Sequence, residues 1–181
     1  ALGFKTSPVT GLWFNIYGGY QDLKNNLASA AIANYSGSYL QLLQGNMHNI
    51  YAGAEASYSY KDIISFTASG IYRDWKTAKT ENNSGDQLLY YMPSFEANFK
   101  VDIRPISSVL INLGYQHITR EKIGNERVDP VGNLYLGGSY EVFEGISIYV
   151  RANNLLNKDY QYYPGYPTEG INFMGGVSFR F

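Results

Sequence analysis

The amino-acid sequence predicts an all-β protein of antiparallel transmembrane β-barrel strands, about eight or nine in number, that form part of a larger barrel. Three observations lead there. Apolar and polar side chains alternate with a period of two, the alternating segments run about 9 to 12 residues, and the connections between them alternate between tight and long.

Composition narrows the alternatives first. Hydrophobic residues make up 45% of the 181, yet 18 of them are tyrosines and the mean hydropathy is slightly negative, so apolar groups must be interleaved with polar ones. Cysteine is absent, which excludes disulfide scaffolds and thiolate metal sites. Fourteen basic residues against fifteen acidic ones, with no block of either sign, leave no surface suited to tracking phosphates, so nucleic acid is not an expected partner. No apolar run approaches the roughly 18 residues of a spanning helix, so any membrane crossing is made by strands.

Taken in chain order, Leu2, Phe4 and Thr6 alternate with Gly3 and Lys5 before a turn-like Ser7-Pro8-Val9-Thr10-Gly11. This reads as the lower part of a strand that precedes the rest. Leu12, Phe14, Ile16, Gly18 and Tyr20 follow on one parity, and Ala52, Ala54, Ala56 and Tyr58 oppose Gly53, Glu55, Ser57 and Ser59. Ile64, Phe66, Ala68, Gly70 and Tyr72 oppose Ser65, Thr67 and Ser69. The clearest segment places Phe95, Ala97, Phe99, Val101 and Ile103 opposite Glu96, Asn98, Lys100 and Asp102. Val109, Ile111, Leu113 and Tyr115 then alternate with Leu110, Asn112, Gly114 and Gln116, and Leu134, Leu136, Gly138, Tyr140 and Val142 with Tyr135, Gly137, Ser139 and Glu141. Two last segments put Ile146, Ile148, Val150 and Ala152 against Arg151 and Asn153, and Ile171, Phe173, Gly175, Val177, Phe179 and Phe181 against Arg180 and its neighbours.

The connections 60–63, 104–107 and 143–145 are short, whereas 21–47, 73–91, 119–131 and 157–170 are long. Outer-membrane barrels share this asymmetry, with tight periplasmic turns and long external loops, which orients the chain with Phe181 at the periplasmic edge. Tyr20, Tyr58, Tyr72, Tyr115, Tyr140, Phe143, Phe179 and Phe181 fall at segment ends, as interfacial girdles require. A soluble sandwich or lipocalin-like barrel is the alternative for such alternation, with the apolar parity facing inward instead. Counting residues 1–8 as a strand gives nine, an odd number that single-chain bacterial barrels do not use, so the chain is expected to begin inside a larger barrel. The other reading of residues 1–8 is a polar extension of a complete eight-stranded protein.

The C-terminal third carries a family resemblance. The run Val150-Arg151-Ala152-Asn153-Asn154-Leu155-Leu156-Asn157-Lys158-Asp159-Tyr160, then Gly165-Tyr166-Pro167 and Gly170, then a last strand ending Val177-Ser178-Phe179-Arg180-Phe181, resembles the C-terminal end of TonB-dependent receptors. The Tyr-rich style and the loop Tyr163-Pro164-Gly165-Tyr166-Pro167 are similar to receptors from Bacteroidota. The resemblance implies a barrel of about 22 strands with a plugged lumen, and a substrate drawn from siderophores, glycans or peptides. It implies as partners the outer-membrane lipid, the remaining N-terminal strands and plug of the same receptor, and a surface lipoprotein. TonB would be reached only through an N-terminal region absent from these residues. Asn153, Asn154, Leu155, Tyr160, Phe179 and Phe181 form the C-terminal signature, with Phe181 resembling the terminal aromatic read by the barrel-assembly machinery. The Asn153-Asn154 amides are also suited to bridging backbone where a strand bends into its loop.

Catalysis finds no support in the residues, and neither an enzyme nor a cofactor is expected. His48 and His117 have no second ligand at metal-binding spacing, so no metal site is expected, and Asp74, Glu81, Asp86, Glu121, Glu126 and Asp129 are scattered as on a solvated loop surface. Binding is better supported, because Trp75, Tyr90, Tyr91, Tyr160, Tyr162, Tyr163 and Tyr166, with Tyr35 and Tyr39, offer flat aromatic faces in the external loops. The same rings would also serve to pad the loops against one another.

Overall fold

In a computed structural model of the chain, residues 1–34, 37–77, 89, 92–121, 128–163 and 166–180 are described. They form strands β1 (Leu2–Val9), β2 (Leu12–Asn34), β3 (Gly37–Tyr60), β4 (Ile64–Thr77), β5 (Pro93–Ile103), β6 (Val109–Arg120), β7 (Val131–Phe143) and β8 (Ile146–Asn153), then the short β9 (Gln161–Tyr163) and β10 (Tyr166–Pro167), and finally β11 (Asn172–Phe179). Nine of these make one antiparallel sheet in the order β1-β2-β3-β4-β5-β6-β7-β8-β11, so each of the nine pairs with the next of the nine along the chain. The fold is therefore an all-β meander. Residues 2–9 belong to it as a full strand, with Leu2 opposite Gly18 and Phe4 opposite Ile16.

Register carries the two parities through the sheet without exchanging them. Tyr72 faces Ala52 on one side and Phe95 on the other, Phe99 faces Ala68 and Tyr115, Leu136 faces Leu113 and Ala152, and Val177 faces Ile148. A slip of one residue would exchange the two faces. The apolar parity is not gathered into a core: Phe99 and Val177 are each 53% exposed and Ile111 39%. A single layer that leaves a whole apolar face uncovered is unstable in water, where layers must pair, but suits a strand wall against lipid. The soluble reading, with these side chains meeting in a dry centre, is excluded by that exposure.

The two ends of the sheet differ as the loop lengths predict. Residues 10–11, 61–63, 104–108 and 144–145 make the tight turns, all at one end. Two turns require glycine: Gly11 has φ 83° and Gly145 φ 80°, and a Cβ on Gly145 would sit 2.5 Å from the Arg180 carbonyl oxygen. The turns are also stitched to adjacent strands, since the Ser59 amide donates to the Gly11 carbonyl at 2.8 Å and the Arg180 amide to that of Gly145 at 2.8 Å.

At the other end, strands run further than alternation shows. The stretch 21–47, expected as a loop, is a paired ribbon: β2 and β3 stay in register from Asn26 opposite Gly45 to Asn34 opposite Gly37, beyond an irregularity between Leu23 and Asn26. Likewise β4 continues through 73–77, with Trp75 opposite Asn49. These extensions lie past the length that lipid requires, where neither face is held against hydrocarbon and period two carries no information.

The inner face is built on a repeated cross-strand device. Tyr17 lies across Gly53, Tyr51 across Gly19, Tyr135 across Gly114 and Tyr149 across Gly176, each pair directly opposed in register. A Cβ on Gly176 would stand 2.6 Å from the Tyr149 hydroxyl, so the glycine is what lets the ring lie flat. Several charges on this face are paired as well. Arg73 bonds Glu96, Lys100 meets Asp102 at 2.8 Å, the Arg151 guanidinium lies 4.1 Å over the Tyr135 ring, and Lys5 lies 4.9 Å over Trp13.

The face assignment yields a direct test. Val150→Lys, on the outward parity near mid-wall, is expected to destabilise the folded barrel in lipid vesicles by about 2 to 4 kcal/mol. Asn98→Lys, on the inward parity, is expected to change little; equal effects in a denaturant titration of vesicle-folded protein would overturn the assignment.

Candidate functional site

Where β8 ends, the chain turns back over the inner face instead of projecting outward, and asparagine builds the corner. Asn154, 1% exposed, and Asn157 both take left-handed backbone angles, φ 52° and 48°, which asparagine tolerates better than other non-glycine residues. The Asn154 side chain then ties the loop: Oδ1 accepts from the Lys158 amide at 3.1 Å, and Nδ2 donates to the carbonyls of Lys158 and Glu169, each at 3.0 Å. Its own amide donates to Asn133 Oδ1 at 2.9 Å, anchoring the corner to β7. Asn153 Nδ2 donates to Asn172 Oδ1 at 3.0 Å, and the Leu155 amide to the Leu134 carbonyl at 2.9 Å.

Beyond the corner, β9 and β10 form a small hairpin whose residues meet inward-facing groups of β6 and β7. The Tyr162 hydroxyl donates to Gln116 Oε1 at 2.7 Å, and Arg120 Nη2 donates to the carbonyls of Gln161 at 2.8 Å and Tyr162 at 3.0 Å. Two charge-assisted bonds from one buried guanidinium to backbone carbonyls fix the hairpin against the wall. Between hairpin and wall lies a cavity of about 540 Å³, lined by Pro93, Glu96, Ile118 and Arg120 from the wall and Tyr162, Tyr166, Pro167 and Thr168 from the loop. Its size is that of a small-ligand site.

The loop aromatics divide by position. Tyr162 and Tyr166 line this cavity, and Tyr166 is 72% exposed, with its ring available. Tyr160 is 4% exposed, edge-on to Tyr162 with centroids 5.5 Å apart, and its carbonyl accepts from both the Thr168 amide and hydroxyl. Trp75 is 7% exposed, packed on Met47 with Leu23, Leu89 and Met92 around them, and its indole N–H donates to the Pro93 carbonyl at 2.9 Å. Those two rings pad and brace the loops. Tyr163 lies in β9, Tyr39 in β3, and Tyr35, Tyr90, Tyr91 and Phe181 fall outside the described residues. Phe179 ends β11 opposite Ile146. Sequence reasoning missed the wall side of the cavity: Arg120 and the carbonyls it holds are 41 and 42 residues apart.

Among the described residues, no helix is long and apolar enough to cross a membrane, and no cluster of three or more histidine, cysteine, aspartate or glutamate side chains could hold a metal. His117 lies on the outward parity opposite Ala97, away from the cavity.

Two perturbations test the construction. Asn154→Gly keeps the backbone angle but removes the three side-chain bonds, and is expected to lower protection of residues 154–170 from hydrogen exchange by about 1 to 3 kcal/mol; unchanged protection would deny the corner its role. Burial, with the Tyr162 charge next, pushes the Tyr160 phenol up to about 12. Since the folded value exceeds the ordinary one of about 10, its contribution to loop stability is complete below pH 10 and is lost as pH rises through 12. Loop protection is expected to fall across that window, and the fall to be absent in Tyr160→Phe.

No family model matches the sequence, and no curated protein shows significant similarity to it. Solved structures do match. The copper transporter OprC superposes with a TM-score of 0.72 at 18% identity, over 99% of this chain and 30% of that one. The FrpB iron transporter from Neisseria meningitidis gives 0.70 at 16% identity, again over 99% and 30%. The ferric enterobactin receptor PfeA from Pseudomonas aeruginosa gives 0.65 at 16% identity, over 99% and 30%. The chain thus spans about a third of the length of these relatives, and the fold it shares with them is the wall of an outer-membrane β-barrel.

Proposed function

We propose that this chain forms part of the wall of an outer-membrane receptor that imports its substrate in a TonB-dependent manner and catalyses no reaction. The observation that carries the reading is the single-layered sheet, apolar toward lipid and polar inside, with a cavity beneath a loop folded onto its inner face. Transport needs a wall and a ligand site facing the lumen, and the sheet and the cavity on its inner face support both. Structural neighbours described as copper and iron transporters and as a ferric enterobactin receptor support it.

Further strands of the same receptor would pair with β1 and β11, the outer strands of the sheet, and close the barrel around a plug. TonB would be engaged through a region N-terminal to these strands, and a surface lipoprotein would cover the external loops. The Tyr-rich loop supports a source among the Bacteroidota. A complete eight-stranded barrel with a structural or adhesive role is not favoured, because the sheet has nine strands.

Cell fractionation tests the proposal. The native protein should be recovered from the outer membrane only with detergent, at a mass several times the 20.3 kDa of this chain, and import of its substrate should cease in cells lacking TonB. Recovery from the soluble fraction, or TonB-independent import, would refute it.

A further inference from the structure

We infer that the cavity under the β9–β10 hairpin receives an uncharged carbohydrate rather than an anionic metal chelate, an inference that rests on the lumen reading above. The cations of the inner wall are the first reason. An anionic chelate is recognised by guanidinium and ammonium groups free to meet it. Among the described residues, Arg73 is bonded to Glu96, Lys100 to Asp102, and Arg180 lies 3.7 Å from Glu141. Arg151 and Lys5 are stacked on Tyr135 and Trp13, and Arg120 holds two loop carbonyls. Drawing Arg73 or Arg120 toward an anion would break a partnership and leave its partner behind in a partly desolvated wall. The cost falls on the chelate.

The cavity lining supplies the second reason. Glu96, with 28% of its side chain accessible and one carboxylate oxygen bonded to Arg73, contributes a second oxygen that accepts hydrogen bonds from hydroxyl groups. Around the Glu96 oxygen that Arg73 leaves unbonded stand flat or apolar surfaces: Pro93, Ile118, Pro167 and the two tyrosines. A pyranose matches that combination, with an apolar C–H face for an aromatic ring and a rim of hydroxyl donors. Tyr166, mostly exposed on the loop side, is the stacking platform, while Tyr162 is held in place by its bond to Gln116. A volume of about 540 Å³ admits a short oligosaccharide segment rather than a whole polymer.

The test uses the intact receptor purified from outer membranes in detergent, with calorimetric titration of neutral gluco-, manno-, xylo- and fructo-hexaoses, a ferric tris-catecholate and a neutral tripeptide. At least one oligosaccharide is expected to bind with an affinity insensitive to salt, because no charge is exchanged. Tyr166→Ala should weaken it about tenfold or more, and Tyr166→Phe should leave it nearly unchanged. Binding of the chelate or the tripeptide, lost in Tyr166→Ala, would overturn the carbohydrate assignment and leave the import reading standing. If no probe binds, or the oligosaccharide binds equally to wild type and Tyr166→Ala, the cavity is not the site. Failure of the import reading is separately visible, as TonB-independent uptake.

Discussion

Everything in this chain follows from one constraint: in hydrocarbon a backbone N–H or C=O without a partner costs several kcal/mol, so each strand must be paired along the length that lipid covers. An antiparallel meander meets that requirement with the shortest connections, because neighbours in sequence become neighbours in the sheet. Once pairing is fixed, the period of two sorts the side chains into faces with different solvents. Register then has to be exact across all nine strands, since one slip would place Glu96 and Lys100 in lipid and Phe99 in the lumen.

The inner face shows how such register is held without a hydrophobic core. A tyrosine lying across the opposing glycine fits only when the two are directly opposite, and the device recurs between β2 and β3, β6 and β7, and β8 and β11. Each instance excludes neighbouring registers by shape, since a residue with a Cβ would lift the ring. Paired charges add a second condition: Arg73 reaches Glu96 only when β4 and β5 are aligned to bring Ile71 opposite Glu96. Among the described residues, large apolar side chains are packed in depth at the loop end, at Met47, Trp75 and their neighbours and at Val131 and Tyr160, where the wall leaves the membrane and water can again drive burial.

What the sequence made legible was what lipid enforces. Alternation in Phe95–Ile103 or Ile146–Asn153 is strong because one face meets hydrocarbon, and those strands lie where period two placed them. Alternation fades in Leu27-Ala28-Ser29-Ala30-Ala31-Ile32-Ala33 because that ribbon is above the membrane, so a paired hairpin read as a loop. The site was half visible. Aromatic residues in the C-terminal loop pointed to Tyr162 and Tyr166, but nothing local marks Trp75 and Tyr160 as buried or Arg120, Glu96, Pro93 and Ile118 as facing them. Those partners are assembled by strand order and loop path over tens of residues.

The asparagine corner joins the wall to the site. An external loop has no intrinsic reason to fold inward; water solvates it equally well outside. Asn154 supplies one by accepting a left-handed backbone angle and spending both ends of its amide on the loop's own backbone, which turns the chain over the inner face within a few residues. The bonds from Arg120 and Tyr162 then need only hold a hairpin already delivered to the wall. Because the corner is anchored to Asn133 of β7 and to the start of β11 through Asn172, the loop half of the cavity is positioned by the same sheet that supplies the wall half. A ligand between them therefore meets a surface whose two sides are held in fixed relation by the barrel itself.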